Sequence, residues 1–239
     1  VHNALGALSP LDGRYSSSVK ELNAYFSEAA LMRYRVYVEV EYLIALGREK
    51  KIHELPALSD RQKNRLRSSY QKFDLNSAQI VKNIEAETNH DVKAIEYYIQ
   101  KHCGAKLHPW IHFALTSEDI NNISYTLMWC HAMKQVYVPM LTKLQRDLKA
   151  MAKRYRSVPM LSMTHGQPAT PTTFGKELGV LFKRIDRQMV QIKKQSFLGK
   201  LSGATGTWSA HTSAYPKMDW VKFTSKFVRS LGLQPNTVT

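Results

Sequence analysis

Apolar positions recur at three- and four-residue steps along most of the chain and no stretch alternates convincingly, so the pattern predicts helices throughout. Ala30, Leu31, Tyr34, Val38, Tyr42 and Leu46 form the first stripe, which starts at Ser27 and ends at Gly47, a natural C-terminal stop. A proline-containing connection at residues 55–58 leads to a strongly basic helix that Ser59 or Asp60 can cap and that runs to about Tyr70. A third helix is expected over about residues 76–86. Thr88, Asn89, His90 and Asp91 then break the pattern before Val92, Ile95 and Ile99 resume it.

Thr116 and Asp119 have capping-box spacing and open the longest periodic segment, whose apolar positions run from Ile120 through Leu127, Tyr137 and Leu144 to Met151. Pro139 inside it should bend the helix or open one turn. A second long stripe, Phe174 through Leu181 to Ile192, is expected to pack antiparallel to the first. Trp220, Phe223, Phe227 and Leu231 make the last helical face, stopped by Gly232. The prediction is an all-α fold: an N-terminal helical domain at residues 1–111, then at 112–239 the first long helices of a helix bundle. Two long helices do not close a bundle core, which calls for oligomerisation or for further chain. Between them, Thr164-His165-Gly166-Gln167-Pro168-Ala169-Thr170-Pro171 can continue neither helix and is expected to be a shaped loop. A histidine on a braced loop suits acid–base work, because imidazole ordinarily titrates near ~6.5.

Charge widens the choice of partners. Against 19 Asp and Glu stand 34 Lys and Arg, a formal +15 that suits nucleic acid, an anionic membrane or a small polyanionic substrate. The basic residues, Arg33 and Arg35 among them, are spread along what read as solvated helix faces. Apolar runs break before the ~18 residues a membrane span needs, and the N-terminus lacks the basic-then-apolar order of a secretory signal, so a cytoplasmic setting is expected. Cys103 and Cys130 show no paired spacing and read as reduced thiols. His108 and His112 are four apart, but Pro109 disturbs the turn and no third ligand is near, which favours a structural or solvated role over a metal site. The glycine-rich residues 199–206 match neither a dinucleotide fingerprint nor a phosphate loop, and His211 just beyond is expected to line the same cleft.

Four candidate sites fall at helix ends or loops. Arg14 and Tyr15 follow the turn made by Pro10 and Asp12-Gly13, where a guanidinium fork can meet a carboxylate or phosphate. Asn89, His90 and Asp91 bring an amide, an imidazole and a carboxylate to a helix N-terminus, a place that favours anions, with Asn89 the expected N-cap. Thr116 with Ser117 opens the long helix, and His165 sits on the loop.

The strings DGRY (12–15), TNHDVKA (88–94), HFALTSEDINN (112–122) and THGQPATP (164–171), with residues 203–211, resemble the adenylosuccinate lyase family of the fumarase/aspartase superfamily along nearly all of the chain. The resemblance implies β-elimination of fumarate from adenylosuccinate, giving AMP, and from the succinyl-carboxamide ribotide of purine synthesis, with no metal or organic cofactor. It implies that His165 is the acid protonating the departing nitrogen and that Thr116 and Ser117 hold succinyl oxygens. Arg14, Tyr15, Asn89, His90 and Asp91 match the family's substrate-binding positions. It further implies a purine nucleotide substrate and a homotetramer with active sites drawing on three chains, and neither nucleic acid nor membrane as partner. The family's base is a serine on a mobile loop with an S-S-x-M-P-x-K-x-N-P type motif. None occurs here, so this sequence is expected to be part of a longer chain and inactive by itself. The competing readings are another fumarate-releasing lyase such as argininosuccinate lyase, a basic nucleic-acid-binding helical module, and a noncatalytic scaffold derived from the lyase.

Overall fold

The computed structural model describes residues 4–239. Short helical turns at Ala4–Gly6, Ser16–Val19, Lys20–Leu22 and Asn23–Phe26 precede α1 (Glu28–Leu46), α2 (Asp60–Gln71), α3 (Leu75–Thr88) and α4 (Asp91–Gln100). A 3-10 segment, Ala105–Trp110, leads to α5 (Ser117–Ala132), a π turn (Met133–Tyr137) and α6 (Val138–Arg154). Then come β1 (Pro159–Thr164), β2 (Gln167–Thr173), α7 (Phe174–Lys194), β3 (Leu198–Gly199), α8 (Ser209–Ala214), α9 (Trp220–Ser230) and β4 (Gln234–Pro235). The chain forms two compact units, residues 1–130 with 197–239, and residues 131–196. The division expected after residue 111 falls inside the first of them. Among the described residues no helix is long and apolar enough to cross a membrane.

Helix starts follow the local capping chemistry. Ser27 Oγ accepts the Ala30 N–H at 3.1 Å, Asp74 accepts that of Ser77 at 2.8 Å, and Asp219 accepts that of Lys222 at 2.9 Å. Ser59 and Gln62 close a full capping box on α2.

The first unit is built round α1, which is buried on nearly every side: Val36, Val38, Val40, Leu43 and Leu46 have essentially no exposure. A helix apolar all round is a core helix, and the single stripe read from the sequence was one of its several buried faces. Arg35, expected on a solvated face, is buried as well, together with Glu39 and Tyr42. Steps of four and three put these three polar groups on one face. They survive inside the core because each finds a partner from another element.

Tyr42 is the deepest of them. Its hydroxyl lies 3.1 Å from the Phe113 carbonyl and 3.1 Å from His211 Nε2. His211 does not line a cleft as expected; it is fully buried, with its ring 4.8 Å from that of Trp220 and Nδ1 without a hydrogen-bond partner. One proton arrangement satisfies both contacts: His211 Nε2–H donates to Tyr42, and Tyr42 O–H donates to the carbonyl. Protonating Nδ1 would bury a charge and a donor with no acceptor, and burial accordingly pushes the His211 imidazole down to about 4. The unfolded chain binds that proton near ~6.5, so the neutral ring's contribution is fully present above that pH and is lost as pH falls toward the folded value. The loss is on the order of 3 kcal/mol. Denaturant midpoints measured from neutral to acid pH should fall through this window, and His211→Gln should flatten that part of the profile; an unchanged slope in the variant would count against the assignment.

In the second unit α6 and α7 run antiparallel. Gln145 Nε2 reaches Asp186 Oδ1 at 3.4 Å, Lys149 lies 6.0 Å from the Phe182 ring centroid, and Gly175 packs so closely that a Cβ there would meet the Ala152 carbonyl and the Arg156 backbone. The π turn sits just before Pro139, whose ring removes one N–H and crowds the carbonyl four residues back, the opening expected of a proline at this point.

The segment expected to be an irregular loop is part of a β-hairpin. β1 and β2 pair antiparallel, with Thr164 opposite Gln167, which leaves His165 and Gly166 as a two-residue turn. Both have positive φ, 53° and 72°, as a type I′ turn requires. The strands escaped the sequence reading because neither face is buried, so no alternation marks them, and because Pro168 and Pro171 interrupt the second one. Large apolar side chains of this unit stand open: Met140 and Leu144 on α6, Leu181 and Val190 on α7, Leu161 and Met163 on β1.

Candidate active site

The turn between α3 and α4 is shaped residue by residue. Asn89 is left-handed, with φ 51°, and closes α3 by donating its N–H to the Glu85 carbonyl at 2.8 Å. The N-cap of α4 is His90 and not Asn89, since His90 Nδ1 accepts the Lys93 N–H at 3.1 Å. Asp91 Oδ1 accepts the Val92 N–H at 2.8 Å, and Oδ2 lies 2.7 Å from the Arg35 guanidinium. Burial alone would raise the Asp91 carboxyl, but the Arg35 charge and the Val92 N–H outweigh it and hold it below the usual carboxylate range.

Arg35 has a second bond, Nε donating to Asn121 Oδ1 at 2.9 Å. Asn121 lies one helical turn beyond Ser117, so one guanidinium joins the 88–91 turn to the beginning of α5. Thr116 and Ser117 are half-buried at that helix start. The Thr116 N–H donates to Asp119 Oδ2 at 3.0 Å, the acidic half of the capping-box arrangement.

Asp119 is fully buried, and its Oδ1 accepts from Lys200 Nζ at 2.8 Å, the Ser202 N–H at 3.0 Å and the Gly203 N–H at 3.2 Å. Lys200 Nζ also donates to the Gly203 carbonyl, while Asn122 binds the Lys200 backbone on both sides, accepting its N–H at 2.8 Å and donating to its carbonyl at 2.9 Å. The glycine-rich segment is thus a structural strap lashed to the first turn of α5. Gly203 can take its φ of 78° because it has no Cβ.

His112, read as structural, has a charged partner. Its Nδ1 lies 2.5 Å from Glu39 Oε1, and its N–H donates to Glu39 Oε2 at 3.2 Å, an arrangement that holds the residue at φ 60°. Burial alone would lower this imidazole, but the Glu39 hydrogen bond and charge outweigh it and hold the pKa above the ordinary value.

Arg14 and Tyr15 are exposed beyond the first turn, as expected, with the guanidinium 5.6 Å from the Tyr15 ring centroid. Among the described residues no hydrogen bond or ion pair joins them to the other candidates. His165 stands exposed at the hairpin tip of the other unit. No group of three or more His, Cys, Asp or Glu among the described residues is placed to hold a metal ion.

Through Asp91 and Asn121, the structure ties the 89–91 turn and the helix opened by Thr116 and Ser117 to one buried arginine that the sequence reading set on the surface. A signal existed: Arg35 and Glu39 are opposite charges four apart in a stretch, residues 30–46, whose other charges are Arg33 and Glu41. Lys200 left no such trace. A family model described as "Lyase" matches residues 13–238. The chain belongs to this fumarase/aspartase lyase family. Among its lyase relatives, the adenylosuccinate lyase of Haemophilus influenzae is 45% identical over 99% of this chain and 53% of that protein. That of Escherichia coli K12 is 43% identical with the same coverage, and that of Dictyostelium discoideum 42% identical over 96% of this chain and 51% of that protein. The chain spans about half the length of these curated relatives. The lyase fold is shared with a fumarate lyase from Mesorhizobium sp. BNC1, at a TM-score of 0.73 and 20% identity over 92% of this chain and 49% of that one. A β-carboxy-cis,cis-muconate cycloisomerase from Acinetobacter calcoaceticus matches at a TM-score of 0.70 and 17% identity, over 92% of this chain and 50% of that one.

Proposed function

We propose that the full-length protein containing this chain eliminates fumarate from adenylosuccinate to give AMP, and from the succinyl-carboxamide ribotide of purine synthesis. The observation that carries this reading is the 45% identity to an adenylosuccinate lyase along 99% of the chain. In the elimination a base takes the proton from the carbon beside a succinyl carboxylate, that electron pair becomes the new C=C bond, and the C–N bond breaks. His165 then gives a proton to the departing nitrogen. Thr116 and Ser117, at the N-terminus of α5, hold the succinyl carboxylate where helix N–H groups favour negative charge. Asn89, His90 and Asp91 bind the nucleotide at the other helix start, and Arg14 with Tyr15 supplies a cation and a hydroxyl to its anionic groups.

The family's serine base motif has no counterpart in these 239 residues, so turnover is a property of the full-length protein. A homotetramer with shared sites goes with this reading. The open apolar faces of α6 and α7 would then be covered by helices of other subunits. A cytoplasmic setting follows from substrates that are purine-synthesis intermediates. Purified full-length protein should release fumarate from adenylosuccinate, followed by absorbance, and none from argininosuccinate. A folded tetramer that leaves adenylosuccinate unchanged would end the proposal, and activity on argininosuccinate alone would move it to the neighbouring lyase.

A further inference from the structure

Arg35 has no chemistry to offer an elimination, yet it is a guanidinium held almost wholly out of water near the middle of the first unit. Such burial is costly unless the donors are met by well-placed acceptors. Two are met, at 2.7 Å to Asp91 Oδ2 and 2.9 Å to Asn121 Oδ1. Each acceptor belongs to the opening of a helix: Asp91 is the first residue of α4, and Asn121 lies one turn into α5. Because the guanidinium is planar and its donors are fixed relative to one another, the two bonds set one helix start against the other, which a flexible ammonium would not do. The Asp91 side chain remains half exposed, so the clamp reaches from the core to the surface where a ligand can approach.

The same face of α1 repeats the device. Four residues on, Glu39 grips the ring and the N–H of His112; three further, Tyr42 meets the Phe113 carbonyl. Three buried polar groups on one helix thereby hold two of the segments that carry the unit's candidate residues, 88–91 and 112–121.

We propose that Arg35 is a positioning residue for substrate binding: its paired bonds to Asp91 and Asn121 set the His90–Asp91 turn against the helix start bearing Thr116 and Ser117. The catalytic consequence rests on the lyase reading above; the local ordering does not. In the full-length protein Arg35→Gln should lower kcat/KM for adenylosuccinate by about 100-fold, mainly through KM, since misplacement of a binding turn is read there. Arg35→Lys keeps the charge but not the fork and should recover only part of the loss, and added guanidinium should partly restore Arg35→Ala. Amide exchange at 89–94 and 116–121 should quicken at least about tenfold in Arg35→Gln while α2 and α9 keep their protection. Arg33→Gln is the control and should match wild type: this half-buried arginine donates to the Ala24 carbonyl at 2.8 Å and lies 4.9 Å from the Tyr34 ring centroid, so its recorded contacts involve neither helix start.

A KM for Arg35→Gln within about twofold of wild type, or exchange that quickens equally throughout the unit, would overturn the proposal. Full activity of Arg35→Lys would do the same, because charge alone would then suffice. Wild-type protein that releases no fumarate sinks the lyase reading, and the exchange pattern still decides whether Arg35 orders the two turns.

Discussion

His165→Asn in the full-length protein should lower kcat for adenylosuccinate by about 10²–10⁴-fold on the proposed lyase reading, the range expected when a positioned general acid is removed. KM should change little, because the proton is needed as the C–N bond breaks and not for binding. Asparagine is the informative replacement because of the backbone. His165 occupies the first central position of a two-residue turn at φ 53°, followed by Gly166 at φ 72°, and Asn-Gly is a preferred pair for that geometry. The hairpin should therefore be at least as stable as in the wild type, which separates lost chemistry from a lost fold. Alanine would mix the two, since a β-carbon without a side-chain hydrogen bond is strained in the left-handed region. Retention of more than about a tenth of wild-type kcat by His165→Asn would remove the residue from the acid's role.

Asp119→Ala should destabilise the first unit by about 3–5 kcal/mol, the cost of breaking a buried ion pair from one side. The carboxylate has no exposure and meets Lys200 Nζ, the Ser202 and Gly203 N–H groups and the Thr116 N–H. Removing it strands a mostly buried ammonium and leaves three backbone donors without their acceptor. Lys200→Met should also destabilise, and the double variant should cost clearly less than the two single losses together, because each removes the other's reason for harm. Denaturant midpoints of the three variants measure this. Simple additivity would show that the pair acts as two independent contacts. Activity should fall along with stability, since the strap and the Thr116 N–H bond share the same carboxylate.

These two predictions draw on different kinds of information. The place of His165 was readable from the chain, as a histidine between two long helical stripes beside a glycine and two prolines. Its setting was not: the hairpin has no buried face, so the twofold alternation that reveals a strand is missing. Asp119 was readable only as a capping residue three positions after Thr116. Its pairing with Lys200, 81 residues away, leaves no mark in either neighbourhood. Arg35 was misplaced because basic residues on amphipathic helices are ordinarily solvated, whereas this helix is buried on nearly every side. His211 was misplaced for a related reason: proximity along the chain to a glycine-rich segment says nothing about which side chain turns into the core.

What the chain by itself determined is what short-range physics controls. Helix starts at Ser27 and Ser59, the stop at Gly47 and the opened turn before Pro139 depend on groups within about four residues of one another, so local pattern suffices. Tertiary structure decided which of those helix starts face each other. Asp91 and Asn121 meet on Arg35, and His112 meets Glu39, across separations of 56 to 86 residues. A buried charge accepts whatever partner the fold brings to it, and only packing around α1 made those the partners.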